Sequence, residues 1–233
     1  MMGIEMGGGE VEASYPTRIF RVTIGQFFYA IGSYLSIQAN IGLAPWSAFS
    51  MGITYFTPFS YGDVIILSGL VILAIDLLLR ERIGLGTLLD ILLMGKFVDL
   101  FQYLGIVPLI ENFFVGVIVL LVGQFSIALG TYFYVGAGMC CGPRDALMVA
   151  LGKRLKRFPI GLVRGLIEGT ALLLGWLMGA KVGLGTVIAV FGISFILEAT
   201  FRALRFDVTA VVHEDLRQTW HRLRAPKRQE GHV

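Results

Sequence analysis

The amino-acid sequence predicts an all-α polytopic membrane protein. Of its 233 residues, 56% are hydrophobic and only 15% are charged, with a mean hydropathy of +0.77. One soluble core of this size cannot bury so much apolar surface. Several runs reach the roughly 20 apolar residues that a helix needs to cross a hydrocarbon core of about 30 Å. These runs are long and continuous rather than short and alternating, which favours helices over strands.

Six of these runs are predicted to span the membrane, namely 20–39, 61–79, 84–104, 113–136, 160–178 and 184–204. Two shorter helices are predicted to begin at Pro45 and Pro143, because proline is favoured in the first turn of a helix. The first has about 12 apolar positions and the second ends in a cluster of lysine and arginine, so neither is expected to cross. We predict that both are re-entrant or interfacial helices.

The charge distribution predicts the orientation. Lysine and arginine accumulate in cytoplasmic segments of membrane proteins. With six crossings and both termini in the cytoplasm, most of the 19 basic residues lie on the cytoplasmic side. The predicted organisation is a disordered leader at 1–17, a first membrane repeat at 18–107, a second membrane repeat at 108–206, and a cytoplasmic, amphipathic and basic tail at 207–233.

The two predicted repeats share sequence. The tetrapeptide GLGT occurs at Gly84 and again at Gly183, and other matches continue at an offset of 98 or 99 residues. The matched positions include Pro45 and Pro143, Gly62 and Gly161, and Asp99 and Glu198. Each repeat has three spans, an odd number, so the second is predicted to have the inverted topology. Inverted repeats are a recurring plan of secondary transporters.

The GLGT segments themselves are interpreted structurally. A glycine pair before a helix can cradle phosphate, but a lone GxG is weak support for that role and no preceding strand is predicted. We expect Thr87 and Thr186 to cap the helices that follow, with the glycines allowing a tight turn and close packing.

The starts of the two short helices are the predicted binding site. A helix that begins at membrane depth has unpaired N–H groups and a positive dipole end, which an anionic or polar ligand can satisfy. The predicted substrate-binding residues are Pro45, Ser47, Pro143, Arg144, Asp145, Arg164 and Glu168. Two alternatives remain open: Ser47 and Asp145 only cap these helices, or the second short helix lies on the membrane surface.

Ionisable residues inside a bilayer are costly and therefore candidates for function. Asp99 and Glu198 are predicted to couple transport to an ion such as the proton, since they are equivalent acids expected to approach one cavity from opposite sides. Helical spacing also predicts neutralising pairs along single helices. These pairs are Lys96 with Asp99, Arg164 with Glu168, Glu198 with Arg202, and Asp76 with Arg80.

Other functions lack the residues they need. All three histidines lie in the tail, and the only cysteines, Cys140 and Cys141, are adjacent and have no metal-ligand spacing. No catalytic residue, metal site, cofactor or nucleic-acid partner is predicted, and the protein is not expected to be an enzyme. The predicted partners are the lipid bilayer and a small-molecule solute; whether the chain forms a homo-oligomer is left open.

Four segments carry a family resemblance, namely ANIGLAPWSAF, GLGTLLDILLMGKFVDLF, GAGMCCGPRDALMVAL and VGLGTVIAVFGISFILE. Together they resemble the bacterial YczE and YitT type of multi-pass membrane protein, most closely the YczE-like branch, over roughly 18–205. The resemblance implies a bacterial inner-membrane location and supplies no substrate or reaction.

The predicted function is secondary transport of a small polar or anionic solute across the bacterial inner membrane. The alternative is a membrane accessory or regulatory protein that transports nothing and binds a cytoplasmic partner through its tail. Deleting the tail distinguishes the two, because a transporter core does not need it to move solute.

Overall fold

The computed structural model describes residues 14–219 except 82, 140, 141, 156, 157, 209, 210, 212 and 217. Its helices are α1 (Tyr15–Gln38), α2 (Pro45–Thr54), α3 (Tyr61–Leu78), α4 (Leu85–Leu104), α5 (Phe113–Val135), α6 (Pro143–Arg154), α7 (Ile160–Leu177) and α8 (Leu184–Ala203). The described residues contain no strand, so the all-α prediction is confirmed for them. Most of the predicted leader, the two cysteines and the tail beyond residue 219 lie outside the described residues.

Three of the described helices, α3, α5 and α8, are long and apolar enough to cross a membrane by length and composition. They coincide with the second, fourth and sixth predicted spans. The other predicted spans correspond to α1, α4 and α7, which have 24, 20 and 18 residues and carry ionisable side chains. Large side chains on the outer surface are exposed, such as Leu78, Phe114 and Phe195, as expected for helices that face lipid.

The two short helices begin where the sequence predicts. Proline occupies the first turn of both α2, which has 10 residues, and α6, which has 12. At 1.5 Å per residue, even the longer of the two reaches only about 18 Å, well short of a hydrocarbon core of about 30 Å.

The GLGT segments form matching helix starts at α4 and α8. The Gly84 N–H donates to the Thr87 Oγ1 at 3.4 Å, and the Gly183 N–H donates to the Thr186 Oγ1 at 3.2 Å. Both threonines are buried. Each hydroxyl satisfies a backbone donor that the helix itself cannot, so the prediction that these threonines cap helices is confirmed.

Helices α1 and α5 cross in direct backbone contact through two glycine pairs. A Cβ atom added to Gly32 would lie 2.3 Å from the Gly123 carbonyl oxygen, and one added to Gly25 would lie 2.9 Å from that of Gly130. The earlier residue of α1 faces the later residue of α5, so the two helices run antiparallel. Small residues let helix backbones approach this closely in membrane proteins.

The second residue of each GLGT helix bonds to the loop that precedes a short helix. The Gly86 N–H donates to the Met139 carbonyl at 2.9 Å, and the Gly185 N–H donates to the Ile41 carbonyl at 2.9 Å. Added Cβ atoms on Gly86 and Gly185 would lie 2.4 Å and 2.8 Å from the nearest backbone oxygen. These contacts attach α4 to the loop before α6, and α8 to the loop before α2.

Around the α1–α5 crossing the other helices pack in a repeating order. Helix α4 packs on α1 and α8 packs on α5. The short helix α2 packs on α7, and the short helix α6 packs on α3. Each short helix also contacts the next helix of its own half, α3 or α7. Helices α3 and α4 pack along each other, whereas α7 and α8 have no comparable packing among the described residues.

The described start of the tail is attached to the body of the protein. The Glu214 N–H donates to the Gly138 carbonyl at 2.9 Å, and the Glu214 carboxylate accepts from the Tyr15 hydroxyl at 2.6 Å and forms an ion pair with Arg18. Arg18 also donates to the carbonyls of Ala137 and Gly138. The predicted surface helix of the tail falls largely on residues outside the described part.

Changing Glu214 to glutamine should loosen this attachment. A neutral amide leaves the largely buried Arg18 guanidinium without its charged partner, which favours local opening. We expect opening about fivefold more often, equivalent to ~1 kcal/mol, measured as faster tryptic cleavage within the tail of the purified protein. Glu198→Gln, which alters an exposed ion pair, is the control. Cleavage of Glu214→Gln at the wild-type rate would contradict the attachment.

Candidate functional site

The two short helices meet at their N-terminal ends. Pro45 and Pro143, the first residues of α2 and α6, are both buried. The next residues are in contact, since the guanidinium carbon of Arg144 lies 4.8 Å from the centre of the Trp46 ring. This distance is within the range of a cation–π interaction. The N-terminal ends of α2 and α6 therefore lie together in the interior of the helical body.

Two adjoining cavities surround this contact. One, of about 160 Å³, lies between α3, α4, α6 and α7, and the other, of about 390 Å³, extends between α7 and α8. They share six lining residues, which are Tyr29, Trp46, Met94, Arg144, Arg164 and Glu168. We call the two together the central cavity. Since one water occupies about 30 Å³ of liquid, the smaller part alone has room for a small solute.

All seven predicted substrate-binding residues line the central cavity. Pro45 and Ser47 line its larger part, and Pro143 and Asp145 line its smaller part. Arg144, Arg164 and Glu168 line both parts. The structure thus brings together residues from α2, α6 and α7 that are far apart in sequence. Their role in binding stays a prediction.

The two arginines of the cavity are held differently. The Arg164 Nε donates to the Glu168 Oε1 at 2.8 Å, which is the predicted pairing of these residues along α7. Among the described residues, no carboxylate oxygen lies within 4 Å of the Arg144 guanidinium. Arg144 is placed by the Trp46 ring instead. Asp90 and Asp145 line the same cavity as Arg144, but neither lies within ion-pair distance of it.

The first-turn amides of α2 and α6 are not satisfied by N-cap side chains. The N-cap residues are Ala44 and Gly142, and neither gives a side-chain cap hydrogen bond. Asp145, in the first turn of α6, instead accepts a long hydrogen bond of 3.4 Å from the Tyr134 hydroxyl. In the described part of the chain, no hydrogen bond from a backbone N–H to the Ser47 or Asp145 side chain supports the alternative that these residues only cap the two helices.

Sequence reasoning missed Asp90 as a member of this site. Asp90 lines the smaller part of the cavity, and its Oδ1 accepts from the Gln26 Nε2 at 2.6 Å. The other amide atom, Gln26 Oε1, is buried with no hydrogen-bond partner among the described residues. The position 99 residues after Asp90 is Ala189, so the repeat gives no matching acid. The sequence feature that could have indicated this part of the site is Gln26, a polar residue inside a predicted span that has an equivalent, Gln124, 98 residues later.

Asp99 and Glu198 do not line the central cavity. The Asp99 carboxylate accepts from the Gly62 N–H at 2.7 Å and from the Ser60 hydroxyl at 2.5 Å, at the start of α3. Glu198 accepts from Arg202 at 2.6 Å in an exposed pair on α8. The expectation that both acids approach one cavity is therefore wrong for this conformation, because each carboxylate is satisfied by donors near it. Their role in ion coupling stays a prediction.

Two predicted pairs along single helices are also wrong. Lys96 pairs with Asp63 across the α3–α4 contact at 3.1 Å, because Asp99 is engaged at the start of α3. Asp76 is fully buried, and neither of its carboxylate oxygens has a hydrogen-bond partner among the described residues. It does not pair with Arg80, because α3 ends at Leu78 and Arg80 has a left-handed backbone with φ of 58°.

Comparison with known proteins identifies similar sequences. A family model described as a family of unknown function, DUF6198, matches residues 16–202. An uncharacterized protein of Haemophilus influenzae is 33% identical over 168 residues, which cover 72% of this chain and 76% of that protein. An uncharacterized membrane protein of Bacillus subtilis, YczE, is 31% identical over 166 residues, covering 70% and 76%. No solved structure matches the chain.

Proposed function

The chain belongs to the DUF6198 family, whose function is unknown, and we propose from its site that it is a secondary transporter of a small polar or anionic solute. Its similarity to YczE confirms the resemblance that the motifs indicated. Together with its long apolar helices, this similarity makes the chain a membrane protein. The observation that carries the proposal is the position of Arg144 at the meeting point of α2 and α6, facing a cavity lined by charged side chains, with no carboxylate oxygen within 4 Å among the described residues.

The proposed architecture is two inverted repeats, the first ending before α5. The residues 98 positions after Gly25 and Gly32 are Gly123 and Gly130, and the observed pairs are Gly25 with Gly130 and Gly32 with Gly123. When each glycine is replaced by its equivalent in the other repeat, the pair Gly25–Gly130 becomes the pair Gly123–Gly32, and the reverse. A twofold axis that relates two antiparallel helices produces this exchange, which supports an axis in the plane of the membrane.

Two further contacts support the same axis. The hydrogen bond from Gly86 to Met139 has its equivalent in the bond from Gly185 to Ile41. Trp46 and Arg144 are themselves equivalent, 98 residues apart, so their contact lies where the axis passes. In secondary transporters with inverted repeats, the substrate site lies at this interface, near the middle of the bilayer.

In the proposed topology α1, α3, α4, α5, α7 and α8 cross the bacterial inner membrane, and both termini are cytoplasmic. Helices α2 and α6 enter from opposite sides and turn back. This places most lysine and arginine residues in the cytoplasm. It also points the N-terminal ends of α2 and α6 at each other, so that their positive dipole ends converge on the cavity.

The part of the cavity at Arg144 is suited to an anionic group of a small polar or anionic solute. Arg144 and the first-turn amides of two helices supply positive charge and donors at one place. Arg164 is already neutralised by Glu168, so Arg144 is the group that meets the anion. The nearby acids Asp90 and Asp145 would accept hydrogen bonds from the polar groups of the same solute.

Asp90 is also the acid best placed to couple transport to protons. It lies in the same part of the cavity as Arg144, so gaining or losing its proton changes the charge that a bound solute meets. Asp99 and Glu198, the equivalent acids of the two repeats, lie outside this cavity. A proton-driven uptake that persists in Asp90→Asn would rule out this role.

The proposal is tested by binding first and transport second. Purified protein is screened by thermal shift against small anions and neutral solutes, since a ligand at 100 times its Kd stabilises the folded state by about 2.7 kcal/mol. Any stabilising anion is then tested for uptake into proteoliposomes. We expect at least one small anion to bind and to be transported. A library in which no solute binds, or in which bound solutes are never transported, would contradict the proposal.

The rival function is docking of a cytoplasmic partner through the tail. A variant truncated after Thr219 distinguishes it from transport. This variant keeps the Glu214 attachment to Arg18 and removes only the last part of the chain. Under the transport proposal, the truncated protein moves solute at the wild-type rate. A full loss of the cellular phenotype with unchanged solute binding would favour the docking function instead.

A further inference from the structure

The two repeats differ at the contact between their last two helices. In the first repeat, α3 and α4 touch through glycines, since a Cβ added to Gly62 would lie 2.1 Å from the Gly95 carbonyl oxygen. In the second repeat the equivalent residues are Gly161 and Ser194. A Cβ added to Gly161 would have nothing within 4 Å among the described residues. The same pair of helices is therefore closed in one repeat and separated in the other.

The equivalent acids follow this difference. Asp99 bonds to the N–H of Gly62 at 2.7 Å, so it joins α4 to the start of α3. Glu198 is its equivalent on α8, but its carboxylate accepts from Arg202 on the same helix. The side chain of Glu198 is 58% exposed. We call Gly62, Gly95 and Asp99 the first gate, and their equivalents Gly161, Ser194 and Glu198 the second gate.

The separated helices lead to the central cavity. Its larger part, of about 390 Å³, is lined by Gly161 and Gly165 of α7 and by Phe191 and Ser194 of α8. In the proposed topology Gly161 lies near the cytoplasmic end of α7, and Gly62 lies near the outer end of α3. The conformation is thus closed towards the outside and open towards the cytoplasm.

We propose that Asp99 and Glu198 close the two gates alternately. In the outward-open conformation Glu198 leaves Arg202 and accepts from the Gly161 N–H, which joins α8 to α7, while Asp99 releases Gly62. The inference rests on the proposed transport function, because two inverted repeats that exchange conformations give alternating access to a site between them. It makes the two acids positioning residues that act on helices rather than on solute.

The test measures distances across both gates with pairs of spin labels. Cys140 and Cys141 are first replaced by serine. One protein carries Phe59→Cys with Leu100→Cys, and the other carries the equivalent Phe158→Cys with Ala199→Cys; all four positions are exposed. In otherwise wild-type protein, we expect the short distance across the first gate and the long distance across the second.

Asp99→Ala should then shift both distances in opposite directions. Removing a hydrogen bond to a charged group changes the ratio of the two conformations by about tenfold or more. In the fraction of molecules that changes conformation, the distance across the first gate increases and the distance across the second decreases. Glu198→Ala is the matched control, expected to leave the wild-type distances unchanged because Glu198 closes nothing in this conformation. Unchanged distances in Asp99→Ala, or lengthening of the first gate without shortening of the second, would overturn the proposal.

A second variant guards against a nonspecific effect of Asp99→Ala. Gly161→Ala adds a methyl group that is free here but would meet Ser194 in a closed second gate. Combined with Asp99→Ala, it should prevent the second distance from shortening; a distance that still shortens would contradict the closure. These distances are recorded without solute. If the distances do not change but the protein transports solute, the alternating gates are refuted and the transport function stands. If the distances change as expected but the protein takes up no solute, the transport function is refuted and the alternating gates stand.

Discussion

Alanine in place of Gly32 is expected to lower the free energy of unfolding by about 2 kcal/mol or more, because the new methyl group has no space at the α1–α5 crossing. Its Cβ would lie 2.3 Å from the Gly123 carbonyl oxygen and 2.6 Å from a side-chain carbon of Ile127. The nearest contact is backbone, which cannot move aside as a flexible side chain can. Helices α1 and α5 would have to separate, and the central cavity lies between the elements that they hold.

The measurement is unfolding of the purified protein in mixed micelles with increasing denaturing detergent. Gly192→Ala is the matched control, since its Cβ would lie 3.7 Å from the nearest atom, an ordinary van der Waals distance. Gly123→Ala should behave like Gly32→Ala, because the two glycines form the same contact from opposite sides. If Gly32→Ala and Gly192→Ala unfold at the same detergent fraction, the close crossing of α1 and α5 is refuted.

Arg144→Gln should abolish measurable uptake and weaken binding of the solute about 30-fold or more. A hydrogen bond to a charged group contributes about 2 kcal/mol, and Arg144 is the cavity cation without an ion-pair partner among the described residues. Glutamine is polar and shorter, so it keeps some contact with the Trp46 ring and removes the positive charge. Folding should be affected less than binding, because the change breaks no ion pair within 4 Å among the described residues.

The control for this variant is Arg202→Gln, which removes a cation from the exposed pair on α8. It should bind the same solute with wild-type affinity. Trp46→Leu is an informative companion, since it keeps the charge of Arg144 and removes the ring that positions it. Tight binding of an anion by Arg144→Gln, at the wild-type Kd, would exclude Arg144 as the anion-binding group.

Local features of the fold could be predicted from the sequence. The prolines that begin α2 and α6, the threonines that cap α4 and α8, and the Arg164–Glu168 pair all depend on residues within a few positions of each other. Such interactions follow from helix geometry alone. The repeated sequence further indicated which residues of the two halves would correspond.

Contacts between elements could not be predicted in the same way. Lys96 lies three residues from Asp99, but it pairs with Asp63, which is far away in sequence. Asp99 in turn binds the start of α3. Asp90 has no acidic equivalent and no partner nearby in sequence, so its place beside Gln26 depends on how α4 packs on α1. Helical spacing reveals possible neighbours on one helix and says nothing about competing partners on another.

The difference between the two repeats was also beyond sequence reasoning. Gly62 and Gly161 are both glycines at equivalent positions. A Cβ at Gly62 would meet a backbone oxygen, whereas a Cβ at Gly161 would meet nothing within 4 Å in the described part of the chain. A symmetric sequence can adopt an asymmetric conformation, since the two repeats need not be in the same state at the same time. The larger part of the central cavity lies beside the separated helices α7 and α8.

The inverted orientation of the two repeats is tested most directly by labelling single cysteines in intact cells. Phe59→Cys and Phe158→Cys are equivalent exposed positions before α3 and α7, each placed in a protein without Cys140 and Cys141. A membrane-impermeant maleimide should label residue 59 in intact cells and residue 158 only after the membrane is permeabilised. Labelling of both residues from the same side of the membrane would contradict the inverted repeat and the transporter built on it.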